Sequence, residues 1–166
     1  MTPQEHIQPG ELTVPVKLLS PFARVPERAY DHDAAFDLYA AEAAEIAPLE
    51  RAVVGTGVAL GLPPGLAALT LPRSGLAARH GLSIVNAPGL IDPGYRGEVR
   101  IVLLNTDARQ PFTVKVGDRI AQLLLVPLPA VTLRETEDLD DTARGNHGFG
   151  SSGVGDAPEA QGQYEC

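Results

Sequence analysis

The sequence has one cysteine, few basic residues and no long apolar run, and each scarcity excludes a class of protein. Since Cys166 is the sole cysteine, no intrachain disulfide can form, which suits a reducing compartment. The longest apolar stretch, Leu123–Leu128, is too short to span a bilayer. The segment Met1–His6 lacks the basic start and apolar run of a secretory signal. We therefore expect a soluble cytoplasmic protein with no membrane partner.

The chain is acidic, with 13 Lys and Arg against 21 Asp and Glu and a formal net charge of −8. Binding to polymeric nucleic acid normally requires a basic face, so that partner is not expected. A small phosphorylated ligand remains compatible, because a few local arginines and a metal ion can offset the general field. Each arginine could equally be an ordinary solvated side chain. The candidates are Arg73, Arg79, Arg96, Arg100, Arg119 and Arg144.

The 17 glycines and 15 prolines in 166 residues suit one domain of short strands joined by turns. One short helix is predicted at Ser74–Arg79, and no alternation of strands and helices is visible. The pattern predicts an all-β fold, a jelly-roll-like β-barrel or sandwich. The predicted strands are Thr13–Leu19, Phe36–Ala40, Arg51–Leu60, Leu66–Leu71, Ser83–Asn86, Glu98–Asn105, Phe112–Val116 and Arg119–Val126.

The character of the sequence changes after residue 133. Residues 1–133 form the predicted β domain, 134–143 an acidic linker, 144–153 a glycine-rich arm and 154–166 a disordered tail. In the arm, main-chain N–H groups with Arg144, Ser151 and Ser152 could surround phosphate, and Phe149 could stack on a flat ring. A plain flexible C-terminus is the alternative.

Two other segments carry candidate chemistry. Leu71–Ala77 places Arg73 and Ser74 after a strand and at a helix start, which suits phosphate, although Ser74 could simply cap the helix. Asn86–Gly97 combines an amide, the carboxylate of Asp92 and the phenol of Tyr95 in a compact loop. Taken alone, Asp92 could be a turn-former and Tyr95 a packing residue.

Five short segments lie in order along the chain: Ala34–Ala40, Pro72–Ala77, Asn86–Gly97, Gly117–Gln122 and Arg144–Gly153. Together they resemble the motifs of the homotrimeric dUTPase family, and the resemblance covers roughly residues 14 to 153. A departure occurs at Ala35, where the family usually has glycine; a positive φ there would strain alanine by about 1 kcal/mol or more.

The resemblance implies a dUTP diphosphatase, which hydrolyses dUTP to dUMP and pyrophosphate, supplies the dTMP precursor and keeps uracil out of DNA. Asp92 matches the family's general base, which takes a proton from the attacking water. The main chain of Gly89, Leu90 and Ile91, assisted by Asn86, would read uracil and exclude cytosine. Tyr95 would pack under the deoxyribose, and Arg100 matches a substrate-contacting basic position.

The resemblance also implies how the triphosphate is held. Mg²⁺ would bridge the phosphates, with Asp37 and Gln122 as outer-shell contacts through water and no direct protein ligand expected. In a homotrimer the arm would close over a neighbouring subunit's site. The implied phosphate-binding and arm residues are Arg73, Ser74, Gly75, Gln122, Arg144, Phe149, Gly150, Ser151 and Ser152.

Two other functions stay open at this stage. A dCTP deaminase, alone or combined with dUTP hydrolysis, shares the fold but lacks the Phe149–Gly153 arm. A non-catalytic nucleotide sensor on the same fold would have lost the base or the arm, whereas this sequence has both. Release of ammonia from dCTP, or dUTP binding without pyrophosphate release, would identify each of them.

Overall fold

A computed structural model describes residues 12–143 and 145–146. The described part contains eleven strands and one helix, α1 (Ser74–His80). The strands are β1 (Val16–Leu18), β2 (Phe36–Tyr39), β3 (Ala44–Ile46), β4 (Arg51–Gly55), β5 (Val58–Leu60), β6 (Leu66–Leu71), β7 (Leu82–Ile84), β8 (Gly89–Ile91), β9 (Arg100–Asn105), β10 (Phe112–Val114) and β11 (Arg119–Pro127).

All the strand pairs are antiparallel. A four-stranded sheet has the order β2-β11-β6-β8, and a three-stranded sheet has the order β4-β9-β7. Two further pairs, β1 with β5 and β10 with β3, complete the described sheets. No two consecutive strands of the described part pair with each other, so the chain crosses repeatedly between sheets, as in jelly rolls. The all-β fold with one short helix is confirmed.

The alternating sides of these strands build one apolar core. Leu38 of β2, Val54 of β4 and Leu103 of β9 are at most 1% exposed. Burying a side chain of this size contributes about 1.5–3 kcal/mol. The buried cluster draws on both larger sheets, so the core fixes the strands that carry the candidate site residues.

Several predicted strand boundaries are wrong. The single strand predicted at 51–60 is two strands, because Gly57 takes a positive φ of 65° and its N–H donates to Glu98 Oε1 at 2.8 Å. Beside it, the Thr56 hydroxyl donates to the carbonyl of Val99 at 2.6 Å. The strand predicted at 83–86 lies at Leu82–Ile84, and the one predicted from residue 98 begins at Arg100. Two short strands, β3 and β8, were not predicted.

The departure at Ala35 causes no backbone strain. Within the part of the chain that the structure describes, the non-glycine residue with positive φ is Leu49, at 62°. Alanine at position 35 therefore adopts an ordinary φ, and the expected penalty does not arise.

The chain divides into a compact unit that ends at Ala130 and a second unit that starts at Val131. The compact unit holds all the strands and α1. In the second unit, residues 131–143 are exposed and have no regular secondary structure. No helix in the described ranges has the length and apolar character needed to cross a membrane.

Candidate active site

An open cleft of about 260 Å³ lies between β8 and the start of β9. It brings together seven residues that the sequence predicted as site residues: Asn86, Gly89, Leu90, Ile91, Asp92, Tyr95 and Arg100. Three further residues complete the lining: Thr70, Glu98 and Val99. The residues predicted to read the base, to contact the sugar and to activate water thus share one cavity.

Strand β8 forms one wall of this cleft and is an edge strand. Among the described strands it pairs only with β6, in the register Thr70 with Gly89 and Ala68 with Ile91. In an antiparallel pair, alternate main-chain N–H and C=O groups point away from the partner strand. The outer edge of β8 therefore offers main-chain donors and acceptors to a ligand.

The loop after β8 presents its carboxylate without using it for structure. The turn closes through the main chain, where Tyr95 N donates to Asp92 O at 3.1 Å. Asp92 is exposed, and no described residue makes a hydrogen bond or ion pair with its side chain. Asp92 does form a turn, but through its carbonyl, so its carboxylate remains available for chemistry.

Tyr95 is held at the hydroxyl end of its side chain. Its hydroxyl donates to the carbonyl of Glu98 at 2.9 Å, and its ring lies over Gly97, where any Cβ would overlap the ring. The side chain is still 47% exposed, so the ring is a rigid surface on the cleft rather than a core residue. Tyr95 therefore packs on Gly97 and also presents part of its ring to the cleft.

Arg100 is already engaged by two carboxylates. Its guanidinium lies 3.2 Å from Glu42 Oε1 and 3.9 Å from Glu98 Oε2. The same carboxylates accept the main-chain N–H groups of Gly55 and Gly57. The three side chains together carry a formal charge of −1, so this end of the cleft suits an uncharged group better than phosphate.

A second cluster surrounds Asp37, which is 6% exposed. Arg73 Nε lies 3.3 Å from Asp37 Oδ1, and Arg119 Nη1 donates to Asp37 Oδ2 at 3.1 Å. Gln122 on β11 is the ladder partner of Asp37 on β2, so the two side chains lie on the same face. Arg73 is thus held rigidly beside the two predicted outer-shell residues.

The predicted start of helix α1 follows Arg73 directly in the chain. Arg73 is the N-cap of α1 and makes no side-chain capping bond, so the alternative of a Ser74 cap is wrong. Ser74 and Gly75 are the first helical residues, whose N–H groups have no intrahelical acceptor. Arg73 lines a second cavity of about 530 Å³, which shares no lining residue with the first cleft.

Other predicted residues are not brought into either cavity. Arg79 and Arg96 donate to their own neighbouring carbonyls, Gly75 O and Tyr95 O respectively. The predicted arm residues lie outside the described residues: Arg144, Phe149, Gly150, Ser151 and Ser152. Within residues 12–143, no three acidic, histidine or cysteine side chains group closely enough to hold a metal ion.

Three cleft residues were missed by the sequence interpretation, and one of them, Val99, directly follows Glu98 in the chain. Glu98 follows Tyr95 by three positions, and its place in the same segment was a usable signal. Thr70 had no local signal, because only the pairing of β6 with β8 brings its hydroxyl to Gly89 O at 3.4 Å.

An open cleft with one unengaged carboxylate, together with a separate arginine cluster, is an arrangement that suits a nucleotide-hydrolysing enzyme on a jelly-roll-like scaffold. The sequence model of the dUTPase family matches residues 22–153. The deoxyuridine 5'-triphosphate nucleotidohydrolase of Leifsonia xyli is 53% identical, covering 78% of this chain and 86% of that protein. The enzyme of the same name from Thermobifida fusca is 50% identical, and the match covers 87% of this chain and 80% of that protein.

Solved structures agree. The dUTPase of Staphylococcus bacteriophage 80alpha with dUpNHpp superposes with a TM-score of 0.79 at 34% identity, covering 86% of this chain and 99% of that chain. A variant dUTPase of phage phi11, which coordinates a structural Mg(II) ion, superposes with a TM-score of 0.72 at 31% identity. The match covers 76% of this chain and 98% of that chain. The chain belongs to the dUTPase family. The family and the hydrolase class expected from the five motifs are confirmed, and neither alternative function is favoured.

Proposed function

We propose that this protein hydrolyses dUTP to dUMP and pyrophosphate at the cleft beside β8, with Asp92 as general base. The observation that carries the proposal is the position of an unengaged carboxylate beside an open strand edge. The names of the curated relatives and the dUTP analogue in the phage 80alpha structure support the substrate.

The open edge of β8 reads uracil. Main-chain groups of Gly89, Leu90 and Ile91 match the donor and acceptor pattern of the base edge, and the Asn86 amide assists. Cytosine exchanges a donor and an acceptor at that edge, so it would leave cleft groups unpaired, which costs several kcal/mol. Tyr95 packs under the deoxyribose, and its fixed ring leaves no room for a 2′-hydroxyl.

Asp92 activates the attacking water. One carboxylate oxygen takes a proton as the water oxygen bonds to the α-phosphorus and the bond from that phosphorus to the bridging oxygen breaks. Pyrophosphate leaves with that bridging oxygen. A positioned base of this kind contributes about 10²–10⁴ in rate. The absence of a partner for the Asp92 carboxylate among the described residues supports this role.

Arg73, Ser74, Gly75 and Gln122 bind the phosphate chain. Arg73 is preorganised by Asp37 and by the carbonyl of Arg119, which its Nη1 binds at 2.9 Å. From the arm, Arg144, Ser151, Ser152 and the main chain of Gly150 contact phosphates, and Phe149 covers the base. Arg100 completes the cleft through its carboxylate pairs.

Mg²⁺ is the proposed cofactor, and the residues present suit contact through water. Asp37 is shared by two arginines, which disfavours direct ligation, yet each of its oxygens retains a lone pair for a water. Gln122, its ladder partner, adds an amide oxygen. When bound to the triphosphate, Mg²⁺ neutralises charge on the phosphate oxygens.

We further propose a cytoplasmic homotrimer with exchanged arms, in which residues 1–133 form the domain, 134–143 the linker, 144–153 the arm and 154–166 the tail. The base cleft and the cavity beside Arg73 share no lining residue, which is compatible with a nucleotide that contacts more than one subunit. An apolar groove lined by Leu12, Val25 and Phe36 offers further surface for association. The single cysteine suits the cytoplasm.

A substrate panel tests the proposal. The purified protein is incubated with dUTP, dCTP, dTTP or UTP, with and without Mg²⁺, and pyrophosphate and ammonia are measured. Pyrophosphate from dUTP alone, dependent on Mg²⁺, is the expected result. Ammonia from dCTP would instead identify a deaminase, and dUTP binding without pyrophosphate release would identify a sensor.

A further inference from the structure

The cavity beside α1 is lined by three arginines in a protein whose net charge is −8. Arg24, Arg73 and Arg119 face this space of about 530 Å³. The proposed mechanism uses only Arg73 among them. Arg24 has no substrate role so far, and Arg119 has been named only as one of the six candidate arginines of the sequence, although both line the same cavity.

The two inner arginines are held in place by a shared carboxylate. Asp37 binds Arg73 through one oxygen and Arg119 through the other, and Arg73 also donates to the main chain of Arg119. One carboxylate offsets only one of the two positive charges. Arg119 remains 46% exposed and uses one of its guanidinium nitrogens for the Asp37 contact, so most of its N–H donors face outward.

Arg24 reaches the same cavity from a different part of the chain. Its guanidinium carbon lies 5.2 Å from the centre of the Tyr39 ring, and Tyr39 is the ladder partner of Arg119. Stacking on a ring face orients a guanidinium while leaving its N–H edge available. Arg24 makes no ion pair with any described residue.

The charges facing the cavity sum to a positive value. Against three arginines stand Asp37, which is buried, and Asp118, whose Oδ2 accepts the main-chain N–H of Lys115 at 2.8 Å. The formal total of these five side chains is +1. A concave surface of this kind suits an anion with several oxygens, which planar guanidinium groups bind through paired N–H donors.

We propose that Arg24 and Arg119 bind phosphate together with Arg73, so that this cavity holds the terminal phosphates of dUTP and, after hydrolysis, free pyrophosphate. The inference rests on the proposed function, since it names further residues for the same substrate. Arg24 and Arg119 are binding residues in this scheme, and the stack on Tyr39 fixes the orientation of Arg24.

Inhibition of the full-length enzyme by added pyrophosphate tests the proposal. Arg24→Gln removes a charge from an exposed residue and should preserve the fold. We expect it to raise the inhibition constant for pyrophosphate about fivefold, equivalent to about 1 kcal/mol. Arg24→Lys should give an intermediate value, because it keeps the charge but loses the planar group.

Arg28→Gln is the matched control. Arg28 stacks on Phe36 at 4.3 Å in the same manner, but it does not line the cavity. The inhibition constant of Arg28→Gln for pyrophosphate should equal that of the wild type, although this substitution changes the net charge by the same amount as Arg24→Gln. Equal inhibition constants for pyrophosphate in Arg24→Gln, Arg119→Gln and the wild type would overturn the proposal. It would also be overturned if Arg28→Gln weakened pyrophosphate binding as much as Arg24→Gln does.

Calorimetric titration of pyrophosphate, with Mg²⁺ present, separates this inference from the proposed function. If the wild type fails to hydrolyse dUTP but binds pyrophosphate more tightly than Arg24→Gln does, the proposed function fails and the anion site stands. If the wild type hydrolyses dUTP and the two proteins bind pyrophosphate equally, the anion site fails alone.

Discussion

The hydroxyl of Thr70 on β6 donates to the carbonyl of Gly89 on β8 at 3.4 Å, directly behind the strand edge assigned to the base. Thr70 is only 5% exposed, so it has little room to move. A Cβ on Gly89 would overlap Thr70 Oγ1 and approach Asn86 Nδ2 to 3.2 Å. Glycine at position 89 is therefore needed for the close approach of β8 to β6.

Gly89→Ala should raise KM for dUTP about tenfold with a smaller change in kcat, because it displaces the strand that reads the base. Overpacking of this kind typically costs about 1–3 kcal/mol of stability. Gly94→Ala, in the loop that follows β8 and with nothing within 4 Å of the added Cβ, is the control and should behave as wild type. Steady-state kinetics and thermal unfolding check both variants. A normal KM for Gly89→Ala would disprove this role of the β8 backbone.

Asp92→Asn should lower kcat by about 10²–10⁴ while leaving the Kd for dUTP nearly unchanged, because the amide cannot accept the proton from water. Asp31→Asn, a change at another exposed aspartate, serves as the control. Single-turnover kinetics and equilibrium binding of a non-hydrolysable dUTP analogue provide the two readouts. Turnover within threefold of wild type (roughly 0.7 kcal/mol) would remove Asp92 from the mechanism.

Mixing two inactive variants should restore activity if arms are exchanged. The first variant is Asp92→Asn, and the second ends before Arg144. In a mixed trimer, some sites combine an intact Asp92 with an intact arm from another subunit. Co-refolding of the two variants and an assay of pyrophosphate release measure the effect. Activity no greater than the sum of the separate proteins would contradict arm exchange.

Asp107 links stability to pH in the turn between β9 and β10. Main-chain N–H groups of Gln110 and Arg109 donate to its carboxylate, and these bonds hold the pKa of Asp107 below its ordinary value. A lowered folded-state pKa contributes stability above the unfolded pKa, and this contribution is lost as pH falls through the folded pKa. Asp107→Ala should therefore lower Tm at neutral pH. The difference in Tm between this variant and the wild type should become smaller below about pH 4.

Unfolding curves from pH 7 down to pH 2.5 give the comparison (a range that brackets the ordinary aspartate pKa of about 3.9). Asp31→Ala, which removes an exposed carboxylate that accepts no hydrogen bond from any described residue, should show no such convergence. A deficit for Asp107→Ala that stays constant across the range would mean that packing, rather than the charged carboxylate, stabilises the turn.

The parts of the fold that depend on local pattern were predictable. β6, β11 and α1 lie within one or two residues of their predicted positions, because apolar periodicity and turn residues bound them. The Asn86–Gly97 segment was predictable as a site because its chemistry is contiguous. Six of its twelve residues line one cleft: Asn86, Gly89, Leu90, Ile91, Asp92 and Tyr95.

What was not predictable depends on partners far along the chain. The sequence of β8 resembles a loop because Pro88 and Pro93 flank it. The segment forms a strand because its main chain pairs with β6, which is distant in sequence. The break between β4 and β5 depends on Glu98, whose carboxylate accepts the N–H of Gly57 across 41 positions. Arg24 has no local signal either, since its stacking partner Tyr39 is assigned only in three dimensions.

The edge position of β8 has a consequence for handling the protein. An unpaired strand edge is a template on which another chain can add a strand, and natural proteins usually protect such edges. Leu90 on this strand is 63% exposed, which makes the edge apolar as well as open. A bound nucleotide would occupy the hydrogen-bonding groups that an intruding strand needs. Substrate recognition and protection from aggregation would then use the same few main-chain atoms.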